Sequence, residues 1–434
     1  LINNNMSSNL KVNTILPSTG TAIGIGTDSG NVDILGHIVG HNTPNISGIN
    51  SVTASHFYGD GSQLSGIDAS SIKFGGSTKA QANAAGVVVT GILTATSFKG
   101  DGSGLTGLST PLSFRNLIIN GAMQVAQRST SAVNVPGGKT VTDVDRFGQW
   151  TKVSEGGWKT GQQVADAPAG FQYSRKITSS AANTVASGSY HTVRYAVEGF
   201  DAAQLNCGNS SAKTVTLSFY VKSSITGNFG LNFTNSANNR SYPVVYTITG
   251  NDWEQKTITL TLDTSGTWLT DSGVGLEINW KLALGSNYDV STLNQWQNNW
   301  RFPENTVNLL ATNGATFQLT GVQLEVGSQA STFEHRSIGE ELLRCQRYFI
   351  SGKAAIGQAY NGWGGAQVQG VYVTYPVIMR ANPSLTFPTN HSSSNVVNTD
   401  YSQFESSTGF SYRVNLSGNG NYHRQSTYNA SSEI

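Results

Sequence analysis

Short segments in which apolar and polar residues alternate dominate the middle of this chain, and they limit the folds that it can adopt. In residues 214–222, TVTLSFYVK, every second side chain is apolar, as expected for a strand with one buried face. Turn-forming Gly, Asn, Asp and Ser separate several such segments, and no helical periodicity appears across residues 113–337. We therefore predict an antiparallel, jelly-roll-like β-sandwich in residues 113–337. Four further segments alternate in the same way: residues 242–249, 255–262, 274–280 and 315–326.

The composition agrees with a chain built of strands rather than of exposed helices. Charged residues make up 12%, about half of the globular average, so Ser, Thr, Asn and Gln must supply most of the polar surface. The 26 basic and 25 acidic residues leave a net charge of +1 without a basic cluster, which argues against nucleic-acid binding. No apolar stretch approaches the roughly 20 residues of a membrane span, so we expect no membrane insertion. The predicted fold class is all-β.

An internal repeat marks the first part of the chain. Residues 52–67, VTASHFYGDGSQLSGI, return as residues 93–108, LTATSFKGDGSGLTGL. Each copy predicts a short strand, a tight Gly-Asp-Gly-Ser turn and a thin apolar stripe, which a single chain cannot bury. Three parallel chains around one axis bury it, so we predict a trimeric shaft in residues 41–112; a flexible linker is the alternative. The residues predicted to pack in the shaft are Phe57, Leu64, Phe98 and Leu105.

The two ends of the chain differ from the predicted sandwich in the length and pattern of their apolar segments. Residues 14–27 and 31–35 alternate too briefly to enclose a core, and we predict that residues 1–40 dock the chain to another protein. Residues 338–434 begin with a short helix, predicted over 337–349 because Ser337 and Glu340 form a capping box. The rest of residues 338–434 is predicted to be a small distal β-domain.

Aromatic residues of the distal domain stand among Gly, Asn and Ser, as in residues 360–363, YNGW, and 419–424, NGNYHR. Loops of this composition present flat rings to a ligand, while Tyr372 and Tyr412 are expected to pack within the domain. We predict a receptor-binding site at this end of the chain. Its predicted residues are Trp363, Tyr375, Tyr401, Tyr422, His423 and Tyr428.

Several motifs together resemble one protein family. Residues 115–128, RNLIINGAMQVAQR, with 144–147, VDRF, resemble the opening of a domain found in bacteriophage tail fibres and receptor-binding proteins, and residues 321–336 resemble its closing signature. The repeats resemble the fibre shafts of marine phages, including cyanophages. The resemblance implies a virion tail fibre: a homotrimer attached through its N-terminus to a tail or baseplate protein, with a C-terminus that contacts a host-surface glycan or protein. It also suggests that residues 116, 120, 128 and 334–336 are buried polar ties.

Residue patterns that would indicate catalysis or a cofactor are weak in this sequence. The seven histidines are scattered, no Gly-rich segment has a phosphate-binding context, and we predict no metal site, no cofactor and no enzymatic activity. A sugar-binding sandwich needs only aromatic faces and hydrogen-bonding groups. The alternatives are a tail-spike glycan depolymerase and a purely structural connector or decoration protein. The depolymerase would need a carboxylate pair, for which Glu198, Asp201, Glu277 and Glu325 are the candidates.

Overall fold

The computed structural model describes residues 71–74, 77–83, 86–93, 115–360, 368–417 and 420–434. The predicted docking segment and the shaft residues Phe57, Leu64, Phe98 and Leu105 lie outside this part, as does Trp363. The all-β class is confirmed. The chain divides into two compact units, residues 1–101 and 102–434.

The first unit contains one small antiparallel sheet among its described residues. Its three strands are β1 (Ser71–Phe74), β2 (Ser77–Asn83) and β3 (Gly86–Val89), paired in that order. They fall inside the segment predicted as a trimeric shaft. The sheet shows that this segment forms strands, and the trimer stays a prediction.

The second unit begins with a two-sheet sandwich, whose five predicted alternating segments are all strands. Short 3-10 turns lie at Val153–Glu155, Ala203–Leu205, Ser286–Tyr288 and Leu309–Ala311, and a one-turn helix, α1, at Gly199–Ala202. The strands are β4 (Val133–Asn134), β5 (Gly138–Thr140), β6 (Phe147–Thr151), β7 (Lys159–Val164), β8 (Ser174–Ser179), β9 (Tyr190–Glu198), β10 (Thr214–Ser223), β11 (Gly227–Thr234), β12 (Arg240–Ile248), β13 (Glu254–Thr261), β14 (Val274–Leu284), β15 (Asp289–Val290), β16 (Gln297–Asn298), β17 (Phe302–Pro303) and β18 (Thr316–Val326).

Two antiparallel sheets form the sandwich. One has six strands in the order β13-β10-β18-β8-β7-β4, and the other has seven in the order β16-β12-β11-β14-β9-β6-β5. Their inner faces share one core, in which Phe219 of β10 contacts Tyr246 and Trp280 of the seven-stranded sheet at ring distances of 5.3 and 5.8 Å. Alternation explains the arrangement, since Val215, Leu217, Phe219 and Val221 are all buried on one face of β10.

A helix follows the sandwich where the sequence predicts one. Helix α2 spans Ile338–Gln346, and the Ser337 side chain accepts a hydrogen bond from the Glu340 backbone N–H at 3.2 Å, as expected for an N-cap. The helix ends before the predicted residue 349, because the chain turns after Gln346 and Phe349 begins the next strand. No helix in the described ranges is long and apolar enough to cross a membrane.

Two three-stranded antiparallel sheets make up the C-terminal part of the second unit. Their orders are β19-β24-β21 and β20-β23-β22, and an aromatic-rich core lies between them. Glu433, just after the last strand, pairs with Arg146 at 2.6 Å and with Arg128 at 3.1 Å, which ties this part to the sandwich. The strands are β19 (Phe349–Tyr360), β20 (Val368–Thr374), β21 (Ser384–Ser394), β22 (Val396–Ser406), β23 (Gly409–Leu416) and β24 (Gly420–Ser431).

Candidate functional site

The predicted distal receptor residues that the structure describes do not form one exposed surface. Tyr375, Tyr422 and Tyr428 are buried in the C-terminal core, so these three rings do not offer a receptor the exposed surface that the prediction requires. The reason is that Tyr422 and Tyr428 lie on β24, where every second side chain points inward. His423 is exposed on the same strand, and Tyr401 of β22 is half-buried.

The two rings that were expected to pack within the distal domain behave differently from each other. Tyr412 is fully buried and donates a hydrogen bond to Asp400 at 2.9 Å, which confirms the expectation for that residue. Tyr372 is 52% exposed on β20, so the expectation is wrong there, because Tyr372 stands on the outer face of its sheet. Receptor binding by Tyr401 and His423 stays a prediction.

Of the four candidate carboxylates for a depolymerase, Glu198 and Glu277 bind basic side chains, whereas Asp201 lies near Glu198, and burial together with that carboxylate raises the pKa of Asp201. Glu198 accepts hydrogen bonds from Arg347 at 2.5 Å and from Tyr348 at 2.6 Å, so it links the sandwich to the residues that follow α2. Glu277 pairs with Arg194 at 2.5 Å and with Lys139 at 2.8 Å. Among the residues that the structure describes, no cluster of three His, Cys, Asp or Glu side chains could hold a metal ion.

A buried cluster around Lys159 combines titratable groups without access to solvent. The Lys159 ammonium donates to Thr151 Oγ1 at 2.5 Å and lies 3.3 Å from His191 Nδ1, and His191 Nε2 contacts Glu155 at 2.7 Å. Burial lowers the pKa of Lys159 from 10.5 to about 7, and nearby Arg175 acts in the same direction. The side chains of Lys159 and His191 are fully buried, so the cluster has no route to a substrate and is structural.

Replacing Lys159 with methionine is expected to change how the free energy of unfolding depends on pH. Because the folded pKa lies below the unfolded value, the unfolded chain binds more protons between about pH 7 and pH 10, and stability from this group rises with pH by about 1.4 kcal/mol per unit. Lys159→Met should remove this slope, which urea unfolding at several pH values measures. Lys176→Met, at a half-buried site, is the control, and parallel wild-type and Lys159→Met profiles would contradict the assignment.

A cleft of about 460 Å³ lies on the outer, polar face of the six-stranded sheet. Its floor consists of Ser218 and Tyr220 of β10 and Gln255 and Thr257 of β13, which stand directly opposite each other in the strand register. The Tyr220 hydroxyl donates to Gln255 Oε1 at 3.4 Å. Strand alternation places these four side chains away from the sandwich core, so they face the cleft rather than the interior.

Aromatic rings form the walls of this cleft. Phe171, from the loop between β7 and β8, lies at their centre, with ring centroids 5.5 Å from Tyr220, 4.9 Å from Phe333 and 5.2 Å from His335. Phe171, Tyr220 and Phe333 are half-buried and His335 is exposed, so the cluster keeps ring surface in contact with solvent. Aromatic faces of this kind stack on the apolar faces of ring-shaped ligands.

A bulge in β18 makes room for the rings. The pairing of β10 with β18 shifts register between Ser218 and Tyr220, and Gly321 lies in the extra step with φ +60°. A Cβ atom on Gly321 would come within 2.8 Å of both the Phe171 and Tyr220 rings. Glycine is therefore required there by backbone conformation and by space, and the bulge is part of how the cleft is built.

The segment that contributes Phe333 and His335 is held firmly against the sheet. Ser331 donates to Glu325 through its backbone N–H at 2.8 Å and its hydroxyl at 2.6 Å, and the Glu334 backbone N–H donates to Gln323 Oε1 at 2.8 Å. Glu325 and Gln323 are themselves buried on β18. The wall is thus fixed before any ligand binds, which reduces the ordering cost of binding.

The motif residues expected to be buried polar ties mostly have that role. Asn116 accepts hydrogen bonds from the backbone N–H groups of Ile118 and Leu324, and Asn120 accepts one from Val125. Arg128 pairs with Asp145 and Glu433, and Arg336 donates to the carbonyl oxygens of Asn116 and Ile118. Glu334 accepts from the Asn116 backbone N–H at 2.7 Å. His335 is the exception: it is exposed in the cleft, because the chain turns outward between its two tied neighbours.

The side chains that line the cleft are suited to binding and lack a charged reacting group. Within the part of the chain that the structure describes, the lining contains Ser, Thr, Gln, His, Phe and Tyr, together with Ala and Gly, but no Asp, Glu, Lys or Arg. Hydroxyl and amide groups donate and accept hydrogen bonds equally well. The arrangement can therefore bind a ligand with both flat apolar faces and many hydroxyl groups.

Comparisons with known proteins give weak likenesses only. No protein-family model and no curated protein matches the chain. About half of the chain superposes on a domain of bacteriophage CBA120 tailspike protein 4, with 14% identity and a TM-score of 0.25, and the match covers 21% of that protein. A family 4 carbohydrate-binding module matches with 13% identity, 48% of this chain, 98% of the module and a TM-score of 0.25.

A third likeness is to a protein from Bacteroides thetaiotaomicron that is described as a sugar-binding protein. It has 10% identity and a TM-score of 0.27, and the match covers 49% of this chain and all of that protein. Likenesses at such scores and identities do not support an argument about function.

Proposed function

We propose that this protein is a non-catalytic glycan-binding protein and that the cleft on the six-stranded sheet is its binding site. The observation that supports the proposal is the combination of Phe171, Tyr220 and Phe333 rings with the neutral hydrogen-bonding groups of Ser218, Gln255 and the neighbouring threonines. Pyranose rings present apolar C–H faces and equatorial hydroxyls, which these two kinds of group complement. The volume of the cleft lies within the range of small-ligand sites.

Binding rather than hydrolysis is favoured by the lining of the cleft. Glycoside hydrolysis needs an acid and a second carboxylate roughly 5–10 Å apart beside the scissile bond. The nearest candidate among those considered, Glu325, is buried beneath Ser331 and accepts hydrogen bonds from it. A ligand in the cleft would therefore contact aromatic rings and hydroxyl groups rather than the Glu325 carboxylate.

The proposal is tested by incubating the purified chain with insoluble and soluble bacterial surface polysaccharides. We expect depletion of the protein from solution by at least one polysaccharide, without release of reducing ends over a prolonged incubation. Released reducing ends that disappear in Glu325→Gln would replace the proposal with a depolymerase. Failure of every neutral and acidic polysaccharide to deplete the protein would contradict glycan binding altogether.

We propose further that the chain acts as a trimeric tail-fibre subunit of a phage virion. The repeats at residues 52–67 and 93–108 and the motifs at 115–128 and 321–336 support this, since a thin apolar stripe needs neighbouring chains. Three copies of a weak site on one fibre would gain avidity from multivalency. Multi-angle light scattering of the full chain should give three times the 46.0 kDa chain mass. A monomer at micromolar concentration would contradict the trimer and leave the cleft as a single-site binder.

A further inference from the structure

We propose that the glycan lies lengthwise along the strands of the six-stranded sheet, that it is a neutral chain of several sugar units, and that Trp253 is a second stacking platform positioned by Asp166. This inference rests on the proposed function, because it extends the same cleft. It assigns a length and a charge class to the ligand, and it assigns a role to Trp253 and Asp166, which do not line the cleft itself.

Polar side chains continue along the outer face of β10 and β13 on both sides of the cleft. We call this row, which runs from Thr214 to Lys222 on β10 with its partners on β13, the polar track, and the cleft lies in its middle. Tyr220 stands opposite Gln255 and Ser218 opposite Thr257, and these two rows form the floor. The next row in one direction holds Lys222 opposite Gln318 of β18. From Ser218 to Lys222 the strand advances four residues, or roughly 13 Å, which exceeds one sugar ring. A ligand of several units can therefore contact successive rows.

Asp166 binds three side chains at the Lys222 end of the track. Its carboxylate accepts hydrogen bonds from Trp253 Nε1 at 3.2 Å, from Lys222 Nζ at 3.1 Å and from Gln318 Nε2 at 3.0 Å. Burial alone would raise the pKa of Asp166, but the bonds from Gln318, Lys222 and Trp253 outweigh it and lower that pKa. The half-buried Trp253 ring is thereby held on the outer face, one row beyond Tyr220.

Threonine side chains continue the track in the other direction. Thr216 and Thr259 share a hydrogen bond of 2.9 Å, and Thr214 and Thr261 share one of 3.0 Å. Thr257, Thr259 and Thr261 follow one another on the exposed face of β13. Thr216 is fully buried and donates to the Gly327 carbonyl oxygen at 2.8 Å, so it supports the row from beneath. The exposed hydroxyls of Thr257, Thr259 and Thr261 can donate to or accept from a ligand, and their methyl groups offer small apolar surfaces. These rows suit the hydroxyl groups of an extended sugar chain.

The charges of the track favour a neutral ligand. An acidic glycan would need Arg or Lys to pair with its carboxylate or sulfate groups, and the cleft lining has neither among the described residues. The Lys222 ammonium at the end of the track is paired with Asp166 at 3.1 Å, so the two charges offset each other. Transfer of an anionic sugar into the cleft would thus carry an unfavourable desolvation free energy that no ion pair offsets.

The test compares oligosaccharides of different length and charge by isothermal titration against the full chain. The probes are neutral glucan, galactan and mannan oligosaccharides, from disaccharide to hexasaccharide, with alginate oligosaccharides as the acidic class. We expect a neutral hexasaccharide to bind more tightly than its disaccharide. Trp253→Ala should weaken binding of the hexasaccharide about three- to tenfold, since a single stacking contact is lost, and leave the affinity for the disaccharide unchanged.

Two substitutions at Asp166 separate positioning from a general structural role. Asp166→Ala removes the acceptor for Trp253 Nε1 and should reproduce the Trp253→Ala loss, whereas Asp166→Asn retains an acceptor and should restore most of the hexasaccharide affinity. Tyr372→Ala, at an exposed ring of the C-terminal sheets, is the control and should change nothing.

Equal affinity of disaccharide and hexasaccharide, or equal loss of both in Trp253→Ala, would overturn the lengthwise arrangement while the cleft remains a glycan site. Alginate binding as tight as that of the neutral probes would overturn the assigned charge class. If no probe binds the wild-type chain and no polysaccharide depletes it, the proposed function fails instead. The two failures are thus distinguishable.

Discussion

Replacing Phe171 and Tyr220 together with alanine is expected to weaken glycan binding roughly a hundredfold, because each ring contributes up to about 1.5 kcal/mol of stacking. The two rings contact each other at 5.5 Å and form the centre of the cleft, so their loss removes the main apolar surface offered to a sugar. Isothermal titration with the polysaccharide that depletes the wild-type protein measures the effect.

The fold should survive this double substitution, since both rings are half-buried at the surface and the core cluster contains neither. A thermal unfolding transition close to that of the wild type checks this. The matched control is Tyr401→Ala with His423→Ala, which changes the two predicted distal residues that are accessible within the described part of the chain. Loss of binding in the distal variant, with full binding in the cleft variant, would move the receptor site to residues 338–434.

Replacing Arg175 with methionine is expected to lower the free energy of unfolding by about 3–5 kcal/mol, because it leaves a buried carboxylate without its partner. Arg175 donates to Asp143 from Nε at 2.9 Å and from the terminal nitrogen at 2.7 Å, and both side chains are almost fully buried. Arg175 also donates to the Gly148 carbonyl oxygen at 2.9 Å. Differential scanning calorimetry should show a fall in Tm of roughly 10 °C.

The double variant Arg175→Met, Asp143→Ala separates the loss of the ion pair from the loss of packing. It should recover part of the stability, since it removes the unpaired charge as well. Arg344→Met is the control, because the Glu340–Arg344 pair at 2.9 Å lies on an exposed helix face and should contribute less than about 1 kcal/mol. Similar losses in Arg175→Met and in the control would contradict the account of the buried pair.

The strands of the sandwich could be predicted because their outer faces are polar and their inner faces apolar. Strand β10 shows this most clearly, with Thr216 and Ser218 on the outer face of the sheet, where other polar groups cover them, and Leu217 and Phe219 in the core. The same logic failed for β24, whose inward side chains include Arg424 and Ser426 beside Tyr422 and Tyr428. Asp400 binds that arginine at 2.7 Å and that serine at 2.7 Å. Because polar residues share the buried face of β24 with tyrosines, its sequence lacks the regular alternation of apolar and polar residues and resembles that of a loop.

The cleft could be predicted only in part. The motif at residues 321–336 contains three of its lining residues, Gly321, Phe333 and His335. Phe171 was missed, because it lies in a loop without periodicity and meets Phe333 only through the fold. Two local signals were present: a phenylalanine beside Gly170, which adopts φ +90°, and a glycine within an otherwise bulky strand at position 321.

Hydrogen–deuterium exchange with and without bound glycan tests most directly whether the cleft is the binding site. The ligand is the polysaccharide fragment that shows the tightest binding in titration. We expect slower exchange in peptides covering residues 165–173, 253–257 and 328–335, since these line the cleft or adjoin it, and unchanged exchange in residues 349–431. Protection confined to residues 349–431, with the cleft peptides unchanged, would contradict the assignment of the site to the six-stranded sheet.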